Sequence, residues 1–328
     1  MAALAWVYWN VDEPRALGLS WEEVEAKLYE SLEAAAKHPS PSYYQIAAEL
    51  LIRERKSDEA IALLHKAVPL DPSNFWTYEG LSQAHTFNGR PKEGRAYLDA
   101  AMRVDPGWND WRHYQAGLAA FGGGRFEEAA ASLEKIDPRS HQPWPKFYGL
   151  QVLISAYGHL GRGAEIAAAK ANFKTVLSER DEGEHDWLLT QEYFVFKNEV
   201  DIERLLEGLS KAGVPELPPD FDPKGMTRLT GPEIRSLIFG HELHGRRIAP
   251  EVEEYRRVTV TNGFTSVTIG SRSRHGASWT QAGVLCAAYP KYLTDCGAVF
   301  RNPAGSFEHN NEYLSIFRGA RYEFSVVK

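Results

Sequence analysis

A period of 34 residues constrains this chain more than any other feature. Ala60, Ala67 and Pro72 return as Gly94, Ala101 and Pro106, placing small residues where helices cross and a proline at the end of each unit. One helical pair cannot bury its own apolar face. Stacked pairs share a continuous core, so successive copies must keep the same length and the same packing residues. The spacing predicts a first full unit over 41–74, with helices from Tyr43 to Arg53 and from Ser57 to Val68. A second unit spans 75–109 and turns at Gly89. A third starts near Asp110 and turns at Gly124, 35 residues after Gly89. Gly122, Gly123 and Gly124 lie between two helices and lack the Lys-Ser/Thr of a phosphate loop, so they read as a turn.

The connector "KIDPRSHQPWPKF" lengthens the spacing before a fourth unit, which carries Tyr157 and Gly161 at the usual places. The stretch "EHDWLLTQEYFVFKNEVDIERLLEGLSKAG" then reads as one or two terminal helices, closed by Gly213. At the other end, "MAALAWVYWNVDE" is apolar for only eight or nine residues and has no basic flank. It fits neither a secretory leader nor a membrane span. Ser20 and Glu23 fit a capping box opening "WEEVEAKLYESLEAAAKH". Because this is half a unit with an incomplete partner, a further segment is expected ahead of it in the natural protein.

In "VPELPPDFDPKG" four prolines fall within eleven residues, which forbids helix and paired strand alike. The expected organisation is therefore a helical solenoid over 1–213, a Pro-rich linker over 214–226 and a β-domain over 227–328. In the last, Thr230 caps the short helix "GPEIRSLIFG", with Pro232 in its first turn. Asn262-Gly263 joins "RRVTVT" to "FTSVTIG" as a type I′ hairpin. With "GVLCAAY", "CGAVFRNP", "NEYLSIFRG" and "ARYEFSVV" there are about six strands, expected to form a small antiparallel barrel or half-barrel. The fold class is thus multidomain, an α-α superhelix followed by an all-β domain.

Charge divides the same way. Residues 1–224 hold 24 Lys+Arg against 35 Asp+Glu, and residues 225–328 hold 13 against 9, so −11 and +4 give the net −7 of the 328-residue chain. An acidic solenoid argues against nucleic acid as a partner. Arg246, Arg247, Arg256, Arg257, Arg272 and Arg274 read as solvated charges on strand edges. No segment suits a membrane span, and a cytoplasmic protein is expected. The oligomeric state is not legible.

Few residues suggest chemistry. No Ser-His-Asp pattern, nucleotide fingerprint or carboxylate pair is visible, so the chain reads as a non-enzyme with no cofactor. "HELH" is one residue short of the metalloprotease pattern. His241, His244, His275 and His309 either meet at a metal in a barrel mouth or sit as surface and hydrogen-bonded histidines. Cys286 and Cys296 fall on consecutive strands, where a cross-strand disulfide is geometrically possible; a reducing cytoplasm would keep them as thiols.

The run "DEAIALLHKAVPLDPSNFWTYEGLSQAHTFNGRPKEGRAYLDAAMRVDP" resembles tetratricopeptide repeats. That resemblance implies a concave groove for a protein or peptide, lined by Gln45 and Glu49, by Trp76, Glu79 and Gln83, by Trp111 and Tyr114, and by Gln151 and Ser155. Trp76 and Trp111 could equally pack between repeats. The basic-and-Asn clamp that chaperone-binding members use for a C-terminal carboxylate is missing, since Gln45, Glu79 and Tyr114 hold those places. Residues 3–180, through "ALAWVYW", "AIALLHKAVPLDPSN" and "LGR", are similar to the helical tails behind bacterial class III adenylate cyclase domains. "LTGPEIRSLIFG", "GASWTQAGVLCAAYP" and "CGAVFRNPAG" look like small bacterial calycin-like β-domains. Together the resemblances imply a non-catalytic scaffold with an accessory sensing or docking barrel, regulating or assembling a partner such as a nucleotide cyclase. The alternative is small-molecule, metal or haem binding in the barrel, with the solenoid as frame.

Overall fold

The computed structural model describes residues 2–9, 18–19, 21–140, 143–180, 183–289, 294–302 and 312–327. Ser20, expected to cap a helix, lies outside them. The chain forms two compact units, one within 1–183 and 195–213, the other of 184–194 and 214–328.

The first unit is a stack of antiparallel helical pairs: α1 (Ala2–Trp9) with α2 (Trp21–Ala35), α3 (Pro41–Arg53) with α4 (Ser57–Ala67), α5 (Phe75–Phe87) with α6 (Pro91–Val104), α7 (Asp110–Gly122) with α8 (Phe126–Leu133), and α9 (Pro143–Leu160) with α10 (Gly163–Glu179). Proline opens α3 and α6 in the first turn, where its missing N–H costs nothing. Ser40 and Asn109 cap α3 and α7 through their side chains.

Each turn between paired helices needs one left-handed residue. Gly89, Gly124 and Gly161 supply it at φ 75°, 71° and 69°; in the first repeat Arg55 takes the position at 60°. In all four the next residue's N–H reaches back into the helix just ended, for example Arg90 to the carbonyl of His85 at 2.9 Å.

The repeated small residues lie at the crossings. Ala60, Ala67 and Ala101 are wholly buried, and a Cβ on Gly94 would sit 2.8 Å from the carbonyl of Ser82. Around them Leu64, Leu81 and Leu98 are also wholly buried, each contributing about 1.5–3 kcal/mol of apolar burial.

Residues 195–213 finish this unit. Lys197 N–H donates to the Phe87 carbonyl at 2.9 Å, and Phe196 tilts against Phe87 at 5.0 Å. Helix α12 (Glu199–Lys211) then packs on α9. The two backbones nearly touch, since a Cβ on Gly158 would fall 1.9 Å from the Gly208 carbonyl oxygen.

The second unit is a closed antiparallel barrel. After the two-residue β1 (Thr227–Arg228) and helix α13 (Gly231–Ile238) come β2 (His241–Ala249), β3 (Glu253–Thr259), β4 (Phe264–Ile269), β5 (Arg272–Gln281), β6 (Val284–Ala288), β7 (Asp295–Arg301), β8 (Tyr313–Phe317) and β9 (Ala320–Val326). Each strand from β2 pairs with the next in sequence, and β9 returns to β2. Eight strands thus close where about six in a barrel or half-barrel were expected. The strands absent from that expectation include β2, which holds "HELH", and β5. Both present arginines to the interior, so neither shows the apolar alternation of a strand with one buried face.

Register fixes what points inward. Leu243, Gly245 and Arg247 of β2 face Arg257, Tyr255 and Glu253 of β3, and Tyr255, Arg257 and Thr259 face Ile269, Val267 and Thr265 of β4. An apolar core of Leu243, Tyr255, Leu285, Val299, Phe317 and Phe324 fills the barrel and continues into Ile234 and Ile238 of α13 and Phe239 just after it. Helix α13 therefore covers one end, opened by the capping box of Thr230 and Glu233. The expectation that the six arginines are all solvated strand-edge charges is corrected here: Arg257 is only 2% exposed and turned into the core.

Helix α11 (Trp187–Tyr193) packs against the outer face of β7. Asp186 caps it with a 2.8 Å bond from Leu189 N–H, and Trp187 N–H donates to the Pro215 carbonyl at 3.1 Å. Beneath it Cys286 and Cys296, opposite one another on β6 and β7, form a disulfide. Both are wholly buried, and Cys296 Sγ lies 3.3 Å from the Gln191 carbonyl oxygen.

Candidate peptide-binding face

The outgoing helices α3, α5, α7 and α9 bring together a group of aromatic and charged side chains. Tyr114 of α7 lies between Trp111, one turn away with centroids 5.2 Å apart, and Tyr148 of α9, at 5.5 Å. Trp144 continues the row, stacking near Tyr148 at 5.8 Å. Arg180, at the end of α10, lies 4.0 Å over the Trp144 ring and 4.9 Å over Phe147, a cation–π arrangement that holds the guanidinium flat.

A carboxylate joins the aromatic row. Glu49 of α3 accepts from Gln83 Nε2 of α5 at 3.3 Å, and its charge acts on both Tyr114 and Tyr148. Burial pushes the Glu49 carboxyl up to about 7, against the opposing pull of Arg53 and Gln83. Tyr148 in turn feels Arg53, Glu49 and Arg180. Four repeats therefore contribute to one face that has stacking surface, two guanidinium groups and an acid poised near neutrality.

Of the positions expected to line the groove, Glu49, Gln83, Trp111 and Tyr114 belong to this group. The others are placed differently. Gln45 is buried and spans to the next repeat, donating to Asn74 Oδ1 at 3.1 Å and Thr77 Oγ1 at 3.3 Å. Glu79 pairs with buried Arg112. Gln151 is wholly buried, donating to the Phe147 carbonyl at 3.3 Å, and Ser155 donates to the Leu205 carbonyl of α12 at 2.8 Å. Trp76 is 47% exposed, its ring 5.0 Å from that of Phe75.

Arg53, Trp144, Tyr148 and Arg180 escaped the sequence reading. Arg53 was findable, since it stands one helical turn beyond Glu49 on the same face. Tyr148 lies 34 residues after Tyr114, but α9 has 18 residues where α3, α5 and α7 have 13. Counting back from Gly161 selects Gln151 and Ser155, while the 34-residue step from Tyr114 selects Tyr148.

A tetratricopeptide-repeat model matches residues 51–121. Over that stretch the helical unit resembles tetratricopeptide repeats. Among solved structures the chain is similar to PilF of Pseudomonas aeruginosa, at 18% identity over 53% of this chain and 76% of that one, with a TM-score of 0.38. It is similar as well to a thermophilic repeat protein of Thermus thermophilus, at 21% identity over 60% and 93% of the two chains, TM-score 0.39. A third is YrrB, described as a repeat protein with an unusual peptide-binding site, at 20% identity over 55% and 89%, TM-score 0.33. No curated protein matches the chain.

The histidines singled out in the barrel are spread apart. His241 and His244, three apart on β2, point to opposite faces of the strand. His244 Nε2 lies 2.5 Å from Glu242 Oε1 on the outside, and His275 on β5 stacks at 6.3 Å on exposed Phe264. His309 lies outside the described residues. Among the described residues no helix is long and apolar enough to cross a membrane.

Proposed function

We propose that the solenoid is a non-catalytic scaffold that binds an extended segment of a partner protein along the face of Trp111, Tyr148 and Trp144, with buried Tyr114 packed beneath it. The observation that carries this reading is the aromatic row across α7 and α9, Trp111 edge-on to Tyr148 at 6.4 Å and Tyr148 stacked near Trp144 at 5.8 Å, with Arg180 over one end. Such a surface offers stacking area at low entropy cost to any backbone, and the flanking Glu49, Arg53 and Arg180 select among side chains. The missing carboxylate clamp favours an internal segment over a free C-terminus.

The similarity of residues 3–180 to the repeat tails of class III adenylate cyclases supports a nucleotide cyclase as the protein regulated or assembled. The barrel then serves as an accessory docking or sensing module.

The test is a tiled peptide library, cut from a cyclase catalytic domain and from unrelated sequences, probed with the full chain. Bound peptides are then titrated by fluorescence anisotropy. A Trp111→Ala, Tyr148→Ala double variant should lose at least tenfold in affinity, while Arg256→Ala on the barrel exterior should bind as the parent. Equal affinity in the parent and the double variant would sink the reading.

A further inference from the structure

Arg180 stands at the C-terminal cap of α10, its guanidinium 4.0 Å over the ring of Trp144 and 4.9 Å over that of Phe147, both on α9. A guanidinium held against a ring face keeps the edge that carries its N–H groups for an anion. Elsewhere in the solenoid that edge is met from within the chain. Arg112 lies 4.9 Å over Phe75 and pairs with Glu79 and Asp105. Arg162 lies 5.8 Å over Tyr157, with Glu134 3.8 Å away. Arg180 has the rings without the carboxylate. Among the described residues its side chain makes no hydrogen bond and no ion pair, and its Nε is buried with no partner.

Its place on the surface matters as much. The charge of Arg180 acts on Tyr148, the middle ring of the aromatic row, so the open edge borders the surface along which a segment would run. On the α3 side of the same row the cation is Arg53, whose charge acts on Glu49. That side therefore carries its own counter-charge, and the α10 side does not. The solenoid as a whole is acidic, with 24 Lys+Arg against 35 Asp+Glu over residues 1–224. A segment rich in acids is repelled by such a field, whereas a single acid placed at Arg180 meets a cation with no rival for it.

We infer that Arg180 is a specificity-determining residue of this face and takes one internal Asp or Glu of the bound segment. The guanidinium edge meets the two carboxylate oxygens as a fork, while neighbouring residues of the segment stack on Trp144 and Tyr148. This rests on the peptide-binding reading of the solenoid and narrows it to one class of segment, a lone acid among apolar or aromatic residues.

The experiment is fluorescence anisotropy of the full chain with labelled nonapeptides, acetylated and amidated at their ends and built on alternating alanine and tyrosine. One position at a time carries Asp, Asn or phosphoserine. At one position Asp should bind about tenfold tighter than Asn, the difference between a charged and a neutral hydrogen bond. Arg180→Gln should erase that preference and change the affinity of the Asn peptide little. Because the change from Asp to Asn is made in the peptide, the comparison on the parent protein holds whatever Arg180→Gln does to folding. Phosphoserine binding tighter than Asp would assign a phosphorylated residue as the source of the anion; phosphoserine binding no tighter would assign a carboxylate. Trp111→Ala with Tyr148→Ala should weaken the Asp and Asn peptides alike, which reports on the face itself. If binding depends on those two rings but Asp and Asn are equal at every position, the inference is overturned and the peptide-binding reading stands. A preference for Asp that survives Arg180→Gln overturns it in the same way. Binding by none of the peptides overturns both.

Discussion

Arg112 and Glu79 form an ion pair inside the solenoid, Nε to Oε1 at 2.5 Å, joining α7 to α5 one repeat away. The arginine side chain is wholly buried, and its other nitrogens reach Asp105 Oδ2 at 2.8 Å and the carbonyls of Asp105 and Gly107. Removing Glu79 leaves the buried guanidinium with the half-exposed Asp105 carboxylate in place of a buried counter-charge. Glu79→Ala should therefore destabilise the helical unit by about 3–5 kcal/mol, read from urea unfolding followed by helical circular dichroism. Trp76→Ala, at an exposed position, should change it by about 1 kcal/mol or less. Equal effects from the two would refute the assignment.

Glu49 predicts a pH dependence. Its folded value near 7 lies above the ordinary 4.5, so between those values the folded state holds more protons than the unfolded one. Stability from this group therefore falls as pH rises from about 4.5 to 7, by an amount on the order of 1–3 kcal/mol. His85 and His113, held below their ordinary value by burial, push the opposite way below pH 6.5. The measurement is accordingly the difference between parent and Glu49→Gln, which should widen across that window in favour of the variant. A pH-independent difference would contradict the assignment.

The repeat was legible because its punctuation is chemical. Gly89, Gly124 and Gly161 mark turns that need a left-handed residue, and Ala60 and Gly94 mark crossings that admit no larger side chain. The barrel was legible only in part. A period of two announces a strand when one face is apolar, but Arg247, Arg272 and Arg274 put cations on the inner face. The groove was half legible for another reason: a repeat tells which helix face a residue shares, and not whether its amide is satisfied internally, as in Gln45 and Gln151.

The disulfide makes a third test. Cys286 and Cys296 are ten residues apart, and closing so short a loop contributes about 2–3 kcal/mol. The double Cys→Ala variant should lose that amount from barrel unfolding, followed by near-ultraviolet circular dichroism, and should leave helical unfolding unchanged. Because both sulfurs are wholly buried and Cys296 lies against α11, reduction by dithiothreitol should also be slow until the barrel opens. Rapid reduction in the native state would show that α11 does not shield the bond.

Ala282 provides the fourth. It holds φ 42° before Gly283 in the turn between β5 and β6, a conformation that favours Gly or Asn. Ala282→Gly should raise barrel stability by about 0.5–1 kcal/mol, seen as a higher unfolding midpoint. A lower midpoint would contradict the strain.

Closure of the barrel has a consequence for how it can meet other molecules. Strand β7 pairs with β6 over Asp295 to Gly297 and with β8 over Gly297 to Arg301, and beyond β6 the short β1 pairs with Phe300 and Arg301. Among the described residues, no strand from β2 to β9 is left at the margin of the sheet. An incoming chain therefore cannot add itself as a further strand and borrow backbone hydrogen bonds, the least selective of the ways sheets associate. Whatever the barrel recognises must be read by side chains and loops, so its selectivity can be altered one residue at a time without disturbing the ladder beneath.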